Sequence, residues 1–80
     1  MINDIVSKFC DVELLEHLQG DGEIEITLYD KLNKGICFEQ DVFAIIEELE
    51  DIYYKVNCEI YNPVNKEEEG YEMFFIRIIE

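Results

Sequence analysis

Apolar and polar residues alternate without a break from Glu23 to Tyr29. Ile24, Ile26 and Leu28 fall on one side; Glu23, Glu25, Thr27 and Tyr29 fall on the other. A period of two is the mark of a half-buried β-strand. The Asn33-Lys34-Gly35 turn then leads into a short apolar run, Ile36 to Phe38, which is expected to close a hairpin with that strand. The period changes from 41 to 52: Val42, Ile45, Ile46, Leu49 and Ile52 follow the i, i+3, i+4, i+7 rule of an amphipathic helix. Its other side carries Asp41, Glu47, Glu48, Glu50 and Asp51, with Phe43 at the edge of that acidic face. Alternation returns in Tyr54, Val56, Cys58 and Ile60 against Lys55, Asn57, Glu59 and Tyr61. The turn-rich segment 62–70 follows, and then a strand over 71–79 that is apolar on both faces.

The first twenty residues carry two helical stripes. Ile2, Ile5, Val6, Phe9 and Val12 form one, and Leu14, Leu15 and Leu18 lie opposite. A single straight helix cannot bury both against one surface. The pattern therefore predicts a helix over 4–19 with a break near Cys10 to Val12, where Asp11 would cap the second part and Gly20 would end it.

The expected order is helix, hairpin, helix, hairpin over one domain, residues 1–80. That order implies an α+β two-layer sandwich, αββαββ, with both helices on one face of a four-stranded, mainly antiparallel sheet. The arrangement matches a ferredoxin-like fold with its first strand moved to the C-terminus. It places the strands in order 3-4-2-1, with the last strand central.

Charge adds the next constraint. Twenty Asp and Glu stand against six Lys and Arg, a formal net charge of −14. Disorder is not expected, because nearly half the residues are apolar and there is a single proline. No basic region leads into an apolar run at the N-terminus, so no signal peptide is expected, and no apolar stretch approaches the length of a membrane span. Cys10, Cys37 and Cys58 are odd in number and widely spaced, which suits free thiols in a reducing cytoplasm.

Candidate chemistry is sparse. Ser7, Thr27 and His17 are the only residues of their types, and Ser7 and His17 on one helix would sit about 15 Å apart along its axis. The three cysteines and His17 lack zinc-ligand spacing. The acidic segment 65–72 lacks an EF-hand pattern, and the glycines sit at turns rather than in a phosphate loop. Lys and Arg are scattered among acids, so no stripe for a nucleic-acid backbone can be assembled. The expectation is a non-enzyme with no cofactor and no metal, which works by binding.

Two surfaces can carry binding. One is the acidic helix face with Phe43, supported by Glu23 and Glu25; carboxylates one helical turn apart can stand in for a run of phosphates. The other is the sheet face left without a helix, bearing Tyr29, Tyr61, Tyr71, Met73, Phe75 and Ile79, a composition typical of interface centres. A negative surface attracts a basic protein and repels phosphate. The expected partner-binding residues are Glu23, Glu25, Phe43, Glu47, Glu48, Glu50, Asp51, Tyr61 and Phe75.

In size, charge and lack of catalytic groups, the chain resembles phage-encoded inhibitors of host defence, in particular anti-CRISPR proteins and other DNA mimics. It is also similar to acidic immunity proteins that neutralise basic nucleases. No motif carries the resemblance, so no residue role is transferred. The resemblance implies an inhibitor that occludes the phosphate-binding groove of a basic, nucleic-acid-handling protein in a bacterial cytoplasm. A homodimeric structural or adaptor module, joined through the open sheet face, is the alternative.

Overall fold

The computed structural model describes residues 2–61 and 73–80, with only the backbone at Ile60 and Tyr61. The elements are α1 (Ile2–Val6), β1 (Val12–Gln19), β2 (Glu23–Asp30), α2 (Ile36–Glu50), β3 (Lys55–Tyr61) and β4 (Met73–Ile79). The sheet has four strands in the order β1-β2-β4-β3, and every neighbouring pair is antiparallel. β2 and β3 therefore run parallel, with β4 between them and α2 crossing from one to the other. The α+β class and the open antiparallel sheet with two helices agree with expectation. The segment expected at 62–70, together with Tyr71, lies outside the described residues.

The strand order differs from the expected one in its membership. The expected order set 36–38 between 23–29 and 71–79. Instead β2 pairs directly with β4, Ile26 opposite Ile76 and Leu28 opposite Phe74. The edge position beside β2 is taken by Val12–Gln19, which the stripe of leucines had marked as helix. The cause is a β-bulge. Leu14 faces Leu28 and Glu16 faces Thr27, so Leu15 is the extra residue and the alternation slips by one. Val12 and Leu14 before the bulge share the helix side of the sheet with His17 and Gln19 after it. That slip makes the apolar spacing look helical. Asp11 consequently caps no helix, and Gly20-Asp21-Gly22 is a hairpin turn. The Gly20 amide donates to the Glu23 carbonyl at 2.8 Å, and Gly22 takes a φ of 72°.

Ile36 to Phe38 is the first turn of α2 rather than a strand. Gly35, with φ 56° and ψ −110°, offers no side-chain cap. Asp30, at the end of β2, does the capping from a distance. Its Oδ1 accepts from the Lys34 amide at 2.8 Å and its Oδ2 from the Gly35 amide at 2.9 Å. A carboxylate at a helix start satisfies amides that have no partner within the helix and opposes the positive end of its dipole.

The core lies between the helices and one face of the sheet. Phe38, Val42, Ile45 and Leu49 of α2 are fully buried against Ile24, Ile26 and Leu28 of β2 and Phe74, Ile76 and Ile78 of β4. Ile2, Ile5 and Val6 of α1 and Val12 of β1 close the same cluster, so both helices share one face. Ile52 and Tyr54, expected on the core side, are exposed, because α2 ends at Glu50 and β3 begins only at Lys55. Cys37 rides on α2 rather than on a strand, and Cys58, on the helix side of edge strand β3, is exposed rather than buried.

Candidate functional site

The expected partner-binding residues divide among separate surfaces. On α2, Glu39, Phe43, Glu47 and Glu50 share one flank, spaced by about a helical turn each. Phe43 is 51% exposed and its ring meets buried Phe74 edge-on, 6.0 Å between centroids. Asp41 and Glu48 lie on the other flank, toward the N-terminal segment. Glu48 pairs there with Lys8, and Asp51 caps the helix beyond both flanks. The helix acids are therefore not one array: Glu48 is already neutralised, while Glu47, Glu50 and Asp51 are exposed.

Asp41 meets Asp11 on that second flank. Partial burial, a hydrogen bond with the Asp11 carboxyl and the Asp11 charge push the Asp41 carboxyl above the usual aspartate range. A raised acid pKa means that the folded chain holds the proton more tightly than the unfolded chain. This pair therefore costs stability at neutral pH, and the cost is relieved as pH falls toward the raised value. Asp41→Asn, whose amide can still donate to Asp11, should raise Tm at pH 7 by about 2 °C, the small gain expected of a mostly solvated pair. The variant should also gain less than the parent on acidification. Thermal melts at neutral and mildly acidic pH measure both effects.

The sheet face opposite the helices is the second surface, and no described residue lies over it. Two adjacent cross-strand rows form its centre. Glu16, Thr27, Phe75 and Glu59 make one row; Leu18, Glu25, Arg77 and Asn57 make the other. Together they surround a shallow hollow of about 270 Å³ with the β2 and β4 backbones at its floor. Thr27, the small member of its row, sits low between larger neighbours and is only 7% exposed. Phe75 is 41% exposed and Leu18 56%. Arg77 Nε pairs with Glu23 at 3.1 Å, outside the two rows. Glu16, Glu25 and Glu59 have no ion-pair partner among the described residues.

Tyr29, Met73 and Ile79 sit on this face as expected, half-buried. Tyr61 shares it by register, opposite Met73, but its side chain lies outside the described residues. Glu13, Glu16, Leu18 and Glu59 are members of this face that the sequence reading did not single out. The first three were assigned to a helix. Glu59 was legible as the neighbour of Phe75 only once β3 and β4 were paired in register.

Groups that could do covalent or metal chemistry are dispersed. Cys10 precedes β1, His17 is on β1, Cys37 on α2 and Cys58 on β3. Among the described residues no three His, Cys, Asp or Glu side chains gather in a way that could hold a metal ion. Desolvation, and to a lesser degree the Glu59 charge, push the Cys58 thiol up, so it stays protonated at neutral pH and is a poor nucleophile. No described helix is long and apolar enough to cross a membrane. No family model, curated protein or solved structure matches the chain, so the surfaces are interpreted from their own geometry.

Proposed function

We propose that this chain is a non-catalytic acidic binding protein that engages a basic, nucleic-acid-handling protein and occludes its phosphate-binding groove. The observation that carries the reading is where the acids sit. Glu47, Glu50 and Asp51 crowd the negative end of α2, whose last turn has no basic residue to offset them. Each carboxylate there works against the helix dipole by a few tenths of a kcal/mol. Glu16, Glu25 and Glu59 stand around an exposed aromatic on the sheet face that no described residue covers. Acids that oppose folding and stand beside apolar anchors suit recognition of cations, in which charge steers the encounter and desolvated aromatics hold the complex. In function such a protein is anti-CRISPR-like or immunity-protein-like.

The test is capture of partners on the immobilised chain at low salt, followed by a nucleic-acid competition assay on whatever is retained. A basic partner is expected, released from its nucleic acid by the chain. Its association rate should fall about tenfold or more between low and physiological salt. Retention only of neutral or acidic proteins, or a partner that keeps its nucleic acid in saturating chain, would sink the reading.

A self-associating module is favoured by one observation, the exposure of Phe75 and Leu18 on the open face. It predicts a dimer in sedimentation that Phe75→Glu dissociates and that salt scarcely weakens.

A further inference from the structure

We infer that the basic partner docks at the corner where α2 gives way to β3. Ile52 and Tyr54 form the apolar seat there, Glu47, Glu50 and Asp51 supply the charge, and an arginine of the partner stacks on Tyr54. The inference rests on the reading of the chain as a binder of basic proteins, and it names the surface and the partner side chain.

The apolar seat comes first. Ile52 continues the spacing of the buried α2 stripe, yet it is 47% exposed, and Tyr54 at 84% is the most exposed large apolar side chain among the described residues. Local hydrogen bonds hold both outside the core. The Ile52 and Tyr53 amides donate to the Leu49 carbonyl at 3.0 and 2.9 Å, so the chain keeps its helical sense past Glu50 before β3 begins at Lys55. Glu50, Asp51 and Tyr54 are thereby kept within about one turn of each other, and Glu47 lies one turn back on α2. Every residue of this corner is described, and the far end of β3 at Tyr61 is about 20 Å away along the strand.

Charge complementarity commits the seat to a cation. The negative end of a helix dipole is where a lysine or arginine commonly stands. The last turn of α2 carries none. Lys8 is taken by Glu48 on the other flank. Lys55, the next base along the chain, shares the open sheet face with Asn57 and Glu59, on the side away from α2. The place of the cation is thus left to a partner. Arginine fits better than lysine, because a planar guanidinium can lie on the phenol ring and still direct paired donors at a carboxylate. Phe43, the exposed aromatic farther up the helix, is already turned edge-on into Phe74.

The experiment is a nuclear magnetic resonance titration of the isotopically labelled full chain with hexa-arginine peptide at low salt, about 50 mM. The largest saturable shifts are expected at Glu47, Glu50, Asp51, Ile52 and Tyr54. Tyr54→Leu, which keeps an apolar side chain at an exposed position, should weaken binding about threefold, whereas Tyr54→Phe should bind like the parent. Glu50→Gln with Asp51→Asn should weaken it about fivefold. Glu16→Gln with Glu59→Gln, on the open sheet face, should change affinity less than about twofold, the level of a remote screened charge. Shifts confined to the sheet face, or a Tyr54→Leu variant that binds like the parent, would overturn the inference and leave the basic-partner reading standing. Corner shifts that follow protein concentration without peptide would assign the seat to a second copy and overturn it as well. Absence of saturable binding anywhere overturns both.

Discussion

Phe74→Ala is expected to leave the chain largely unfolded at room temperature. Phe74 is fully buried on central strand β4. Its ring lies 5.6 Å from Phe38 and 6.0 Å from Phe43, both on α2, and in register it stands between Leu28 of β2 and Ile60 of β3. Removing it takes from the central strand a buried ring that packs on two aromatic residues of α2. Phe-to-Ala truncation in a core costs about 3–5 kcal/mol. A domain of this size has roughly 4–12 kcal/mol in total, and self-repulsion at a net charge of −14 argues for the lower part of that range. Circular dichroism melts should show loss of the transition or a fall in Tm of about 15 °C or more. Phe74→Leu should retain a cooperative melt. A Phe74→Ala variant melting within about 5 °C of the parent would mean that the α2–sheet packing is wrong.

Asp30→Ala is expected to cost about 2–3 kcal/mol, a large effect for a single polar residue. Asp30 is 6% exposed, and its carboxylate spends both oxygens on the amides that open α2. Alanine leaves those amides without their acceptor at a part-buried site and removes the charge that opposes the helix dipole. Asp30→Asn keeps one acceptor and should lose about half as much. In urea titrations the midpoint should fall with the slope unchanged, because the same surface is exposed on unfolding. An unchanged midpoint for Asp30→Ala would show that α2 starts without help from β2.

The two strongest periodic signals carried over to the structure almost intact. Ile24, Ile26 and Leu28 are the buried side of β2, and Val42, Ile45 and Leu49 are the buried side of α2. Both elements pack on one surface only, so their pattern is a direct record of that packing. Where the sequence misled, a non-local or irregular cause lay underneath. The leucines at 14, 15 and 18 are spaced by a bulge that exists only because β2 is alongside. The start of α2 is held by an aspartate five residues before its N-cap, beyond the reach of any local capping signature. Phe38 looked like strand because nothing nearby announced a helix, yet it belongs to the α2 stripe four residues before Val42.

The site was half legible. Phe75 and Glu25 could be placed on the open face from alternation alone. Their neighbours Glu16, Leu18 and Glu59 depend on which strands pair and in what register, which alternation does not specify. The helix acids appeared to be one array because a helical wheel ignores what packs beside it; Lys8 and Asp11, brought back by the turn after α1, divide them.

The bulge at Leu15 also bears on solubility in crowded conditions. β1 is an edge of the sheet, and an uninterrupted edge strand is a template onto which another molecule's strand can polymerise. The extra residue bends that edge and breaks the run of evenly spaced amides and carbonyls that a growing fibril would copy. The irregularity that hides β1 in the sequence thus also makes that edge a poor seed.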